Sequence, residues 1–137
     1  AGTHLPESSD GDDVAHALTE ALLGAAARGD IGGMFPDTDP ANRGRDSMEM
    51  LGSAVAIVKS AGYVVVNVDV TVIAENPKIG PHRDAIRASL SRVLGIDTQA
   101  VSVKGKTNEG MGWIGSGEGL ACIAIATIEG SSATGDS

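Results

Sequence analysis

Asp12, His16 and Glu20 follow one another at four-residue intervals. That interval stacks side chains on one face of a helix. A neutral imidazole between two carboxylates suits a divalent metal, with the acids orienting the ring. The same triplet also reads as a solvated polar face carrying an incidental histidine, and the spacing alone leaves both readings open. Farther along, the stretch DIGGMFPDTDP (30–40) gathers Asp30, Asp37 and Asp39 with the only phenylalanine of the chain, Phe35. Asx-turn chemistry accounts for acids beside Pro and Thr. A calcium loop is the alternative, but the residues after Asp39, PANRGRDS, lack the EF-hand spacing and its closing glutamate.

Three further places carry polar groups suited to a phosphate. Glu109 follows Thr107 and Asn108 where a strand breaks into a loop; alone it is an ordinary exposed acid, but beside Thr107 it suits Mg²⁺ held against a phosphate. The loop Ala74–Gly80 offers backbone groups to a nucleobase, and Lys78 within it reads as a solvated lysine before it reads as a phosphate partner. Two look-alikes fail. Gly105-Lys106-Thr107 ends like a phosphate loop, but the glycine needed five positions before Gly105 is Ala100. Gly115-Ser116-Gly117-Glu118-Gly119 resembles a dinucleotide fingerprint, but a strand follows it where a helix is required. Those glycines instead suit backbone amides approaching a phosphate.

The elements that position these residues follow from periodicity. Val14, Ala17, Leu18, Ala21, Leu22 and Ala25 recur at helical spacing, and Gly29 is the expected stop. Asp46 and Glu49 form a capping-box pattern ahead of Leu51, Val55 and Val58, closed by Gly62. Residues 63–73, YVVVNVDVTVI, predict a long strand, with Val64, Val66, Val68, Val70 and Val72 expected on one face. A third helix is expected from about Pro81, carrying Ile86, Leu90, Val93 and Leu94 and stopping at Gly95. Strands over 100–107 and in LACIAIATI (120–128) complete the order helix, helix, strand, helix, strand, strand. That order predicts an α/β class fold, an α+β sandwich with helices on one face of a mixed sheet. Residues 1–9 read as an irregular or truncated start and 130–137 as a disordered tail of a single domain, 1–137.

Composition narrows the function classes. With 137 residues and only 2% aromatics, the core must come from Val, Ile, Leu and Ala, and a domain of this kind often gains burial by oligomerising. A net charge of −8 lacks the basic face that nucleic-acid binding needs. Cys122 is the single cysteine, which argues for a reducing compartment. No apolar run reaches the roughly 18 residues that span a bilayer.

Taken together, SDGDDVAHALTEALLGAAARGDIGGMFPDTDP, NVDVTVIAENPKIGPH and VKGKTNEGMGWIGSGEGLA resemble the 2-C-methyl-D-erythritol 2,4-cyclodiphosphate synthase family of the non-mevalonate isoprenoid pathway. The matching stretches cover most of residues 9–125, in order and with their spacings intact. The resemblance implies a homotrimer with active sites between subunits and a cytidine-diphosphate substrate. The substrate's own phosphate closes a ring and expels CMP. It implies metal ligation by His16 (Zn²⁺) and Glu109 (Mg²⁺ or Mn²⁺) and a transition-state role for Thr107. It places substrate contacts at Ser9, Asp30, Ile31, Gly32, Phe35, Pro36, Asp37, Thr38 and Asp39. It adds the cytidine pocket Ala74, Glu75, Asn76, Pro77, Lys78, Ile79 and Gly80, with Lys106, Asn108 and the site-lining Trp113. The setting it implies is bacterial cytoplasm or plastid stroma.

Three departures stand out. The family's Asp-x-His pair, source of two further zinc ligands, has no counterpart here; Ser8 stands where a histidine is usual, and Ser116 where an arginine is. The expectation is either an incomplete start or a catalytically weakened trimeric relative that binds cytidine nucleotide without turnover. A calcium-stabilised structural domain built on the acidic loop is the third reading.

Overall fold

A computed structural model describes residues 9–34, 46–74, 80–107 and 120–131. Helix α1 spans Ser9–Ala25, a single helical turn α2 spans Ile31–Met34, and α3 spans Ser47–Ser60. Strand β1 (Tyr63–Ala74) is followed by a 3-10 turn at Gly80–His82 and α4 (Arg83–Leu94). A second 3-10 turn at Thr98–Ala100 leads into β2 (Val101–Lys106), and β3 (Leu120–Gly130) closes the sequence of elements.

The sheet has the order β2-β1-β3. β1 runs parallel to β2, with Val68 opposite Val101 and Ile73 opposite Lys106. It runs antiparallel to β3, with Ala74 opposite Leu120. The parallel pair needs a crossover, which α4 supplies. The expected α/β architecture with a mixed sheet is present, and the helices cover one face of it.

Local chemistry sets the helix ends. Asp46 accepts a 2.8 Å hydrogen bond from the Met48 amide and so caps α3, as its sequence position predicts. Gly95 ends α4 with φ +72, and its N–H reaches the Ser91 carbonyl. Only a residue without a Cβ takes that left-handed conformation without cost. The end of α1 departs from expectation. Arg28 N–H bonds Leu23 O at 2.8 Å and Ala27 N–H bonds Gly24 O at 3.0 Å, so the helix closes by a Schellman pattern whose left-handed residue is Ala27, φ +55. Gly29 lies two residues too late to be the stop.

The core lies between sheet and helices. Val14, Leu18 and Leu22 of α1, Leu51 and Val58 of α3, and Ile86, Leu90 and Leu94 of α4 pack on Val68, Val70, Val72, Val101 and Val103. The stripe of α1 is rotated from the expected one: Ala15, Leu23 and Ala26 are buried, while Ala25 is exposed. Thr19, also buried, satisfies its hydroxyl on the Ala15 carbonyl at 2.8 Å.

β1 corrects the alternation read from the sequence. The register to β3 slips between Val65 and Asn67, leaving Val66 without an opposite number. One extra residue inverts the side-chain parity. Tyr63 and Val65 therefore pack against the core together with Val68, Val70 and Val72, while Val64 and Val66 are each 37% exposed on the other face. Among the described residues, that second face carries no helix. Ile123 and Ile125 stand on it at 55% and 62% exposure, beside Asp69 and Lys104, which pair at 3.0 Å.

Candidate functional site

The carboxyl ends of the two parallel strands, β1 and β2, reach one rim of the sheet. Ile73 pairs with Lys106 there, so Ala74 and Thr107, each one residue further on, leave the sheet side by side. Leu120 enters β3 opposite Ala74 at the same rim. The described structure thus brings together Ala74, Lys106 and Thr107. Lys106 and Thr107 are exposed and Ala74 half-buried. Ligands of open α/β sheets bind in crevices outside the carboxyl ends of parallel strands. Glu75, Asn76, Pro77, Lys78 and Ile79 lie outside the described residues, as do Asn108, Glu109 and Trp113. Gly80 is exposed at the start of the 3-10 turn before α4.

The second group of candidates lies along α1 and its exit. Ser9 is the first residue of α1, and His16 is exposed midway along it. Asp30 caps the turn α2, its Oδ1 accepting the Gly33 amide at 2.7 Å. A Cβ on Gly33 would meet that oxygen at 3.3 Å, and one on Gly32 at 3.6 Å. Only at Gly33 is that approach tight, so it is Gly33 that lets the backbone close on the carboxylate. Ile31 is half-buried, and its amide bonds Glu20 Oε1 at 2.9 Å. Phe35, Pro36, Asp37, Thr38 and Asp39 lie outside the described residues.

The acids sharing a face with His16 are spent elsewhere. Asp12 Oδ1 accepts the Ser47 hydroxyl at 2.8 Å, and Glu20 holds Ile31. Among the described residues no three His, Cys, Asp or Glu side chains gather where a metal would sit. His16 alone does not make a zinc site, which needs three or four such donors. The engagement of Asp12 with α3 and of Glu20 with the turn was not foreseen from the sequence. Both bonds join segments whose separation in the chain, 35 and 11 residues, hides the pairing.

Comparison with known proteins decides the lineage. The model of the YgbB family matches residues 2–129. The chain belongs to the YgbB family. Family members similar to it include the 2-C-methyl-D-erythritol 2,4-cyclodiphosphate synthase of Gemmatimonas aurantiaca, 61% identical over 125 residues, covering 91% of this chain and 75% of that protein. The synthase of Bordetella petrii is 53% identical over 127 residues, covering 92% and 78%. Among solved structures, the bifunctional IspDF of Campylobacter jejuni superposes with a TM-score of 0.82 at 36% identity, over 86% of this chain and 32% of that one. Plasmodium falciparum IspF in complex with CDP gives 0.77 at 36% identity, over 93% and 76%. The fold read from the sequence is the fold of these family structures. No helix among the described residues is long and apolar enough to cross a membrane.

Proposed function

We infer that the chain catalyses the reaction for which its relatives are named, forming 2-C-methyl-D-erythritol 2,4-cyclodiphosphate from the 4-diphosphocytidyl 2-phosphate precursor. An oxygen of the substrate's 2-phosphate forms a bond to the β-phosphorus of the diphosphate. The bond from that phosphorus to the oxygen bridging the two phosphates breaks, and CMP departs with the oxygen and its electrons. Nothing is oxidised or reduced. Such a reaction asks the protein mainly for positioning and charge neutralisation.

The observation that carries this reading is the 61% identity over 125 residues, with the motifs falling on the rim and on the α1 exit. Thr107 and Lys106 are proposed to meet the reacting phosphates, and residues Ala74–Gly80 the cytidine. Ser9 and the segment Asp30 to Asp39 would take the sugar and diphosphate portions, with Asn108 and Trp113 lining the same pocket. His16 and Glu109 are the proposed donors to Zn²⁺ and to Mg²⁺ or Mn²⁺. Relatives named as synthases at this identity weigh against a binder without turnover and against a calcium-stabilised domain. A bacterial cytoplasmic setting goes with the reading.

A homotrimer is part of the proposal, supported by the uncovered sheet face. Two isoleucines more than half exposed on one strand are unusual for a free surface. A neighbouring copy would supply the apolar cover that they lack. The test is a CMP-release assay with added Zn²⁺ and Mg²⁺, run beside light scattering. Release by a trimer is the expected result. CMP binding without release, or release by a stable monomer, overturns the corresponding half of the reading.

A further inference from the structure

Glu20 has no part in the chemistry assigned above, yet it makes the described hydrogen bond between α1 and the Asp30 turn. Its Oε1 accepts the Ile31 amide at 2.9 Å across 11 residues of chain. Between them α1 closes in its Schellman turn at Ala27, and the chain then passes through Gly29 at φ +102 before it reaches the turn. Asp30 organises the turn internally through Gly33. Among the described residues, the Asp30 contact shown lies within the turn. One helical turn before Glu20 stands His16, and one turn before that Asp12, whose carboxylate is anchored to Ser47 of α3. The exposed imidazole thus lies midway between two carboxylate tethers, one to the helix layer and one to the turn.

We propose that Glu20 is a positioning residue of the synthase reaction, holding the Asp30–Gly33 turn at a fixed place relative to the face of α1 that carries His16. The proposal rests on the reading of the Asp30 turn as part of the substrate site. The anchor is an acceptor oxygen at the end of a side chain of this reach. A glutamine at the same place keeps an oxygen of the same reach, and an alanine removes it. Loss of the tether frees a binding segment in the ground state and in the transition state alike, so it raises KM and leaves kcat near its original value.

The test compares Glu20→Ala and Glu20→Gln in the full chain, by CMP-release kinetics and by amide hydrogen exchange at Ile31. Expected are a KM raised about 3- to 10-fold in Glu20→Ala with kcat within about twofold, as the net worth of one hydrogen bond implies. Glu20→Gln should return KM close to the parent value, and exchange at Ile31 should quicken in Glu20→Ala only. Equal damage by both substitutions, or a fall in kcat alone, overturns the proposal. If the unsubstituted chain releases no CMP, the synthase reading fails, and unchanged Ile31 exchange in Glu20→Ala then separately removes the tether.

Discussion

The two faces of the sheet are made from the same short list of residues and end in opposite states. On the helix side Val68, Val70 and Val72 are at most 2% exposed, and they lie in one buried cluster with side chains of α1, α3 and α4. On the other side Ile123 and Ile125 remain more than half exposed. Hydrophobic burial scales with area removed from water, whichever chain removes it. The first face therefore completes itself within one molecule, and the second is proposed to be completed by copies of it. Fold stability and assembly should consequently respond to different substitutions.

The sharpest way to break this contrast is to charge the bare face. Ile123→Lys combined with Ile125→Lys should leave the helical and strand content of the chain intact by circular dichroism. Light scattering should report a monomer, and CMP release should fall about 100-fold or more, the cost of misplacing groups in a site shared between subunits. An intact trimer would show that this face is not the contact. Leu18→Ala, on the covered side and fully buried, should cost about 2–5 kcal/mol of unfolding free energy in urea titrations, through lost burial and a cavity. A cost below about 1 kcal/mol would mean that the helix layer is less closely packed than described.

A smaller effect sits on the bare face itself. The Lys104 ammonium, hydrogen-bonded to Asp69, holds that carboxyl below its ordinary value of 3.8, against partial desolvation. Ser102 adds a pull of the same sign, though Oδ1 has no hydrogen bond of good geometry. Because the folded-state pKa is depressed, the stabilisation is present above pH 3.8 and is lost as pH falls below it. With both side chains about half exposed, the pair is worth less than about 1 kcal/mol. Asp69→Asn should remove that fraction of the difference in stability between pH 6 and pH 3, read by urea unfolding, and an identical pH profile would deny the pair any role. The smallest effect is at α1's exit. Ala27→Gly relieves a left-handed alanine and should stabilise by about 0.5 kcal/mol, the relief less the entropy a glycine adds to the unfolded chain.

The same contrast explains what the sequence could reveal. Helices α3 and α4 were legible because their caps, Asp46 and Gly95, are local chemistry. The strand pairings were legible as strands but not as a register. In YVVVNVDVTVI nearly every position accepts either face, so the slip at Val66 leaves no compositional mark; the register to β3 and the packing of Tyr63 and Val65 show it. The end of α1 was misplaced because alanine at a left-handed position carries no signal. At the rim, the strand ends near Ala74 and Thr107 were legible because the periodicity stops there, and the part of Ala74, Lys106 and Thr107 in the chemistry is a proposal. Asp12 and Glu20 could be named but not their partners Ser47 and Ile31, since each acts on a segment far along the chain.

The unmatched valine in β1 has an outcome of a different sort. Its neighbours on either side, Val65 and Asn67, face Ile128 and Thr127, which are adjacent on β3. Deleting Val66 would therefore close the ladder without a gap and leave Tyr63 and Val65 toward the helices as before. At that place the chain can lose one letter and keep its meaning on both sides.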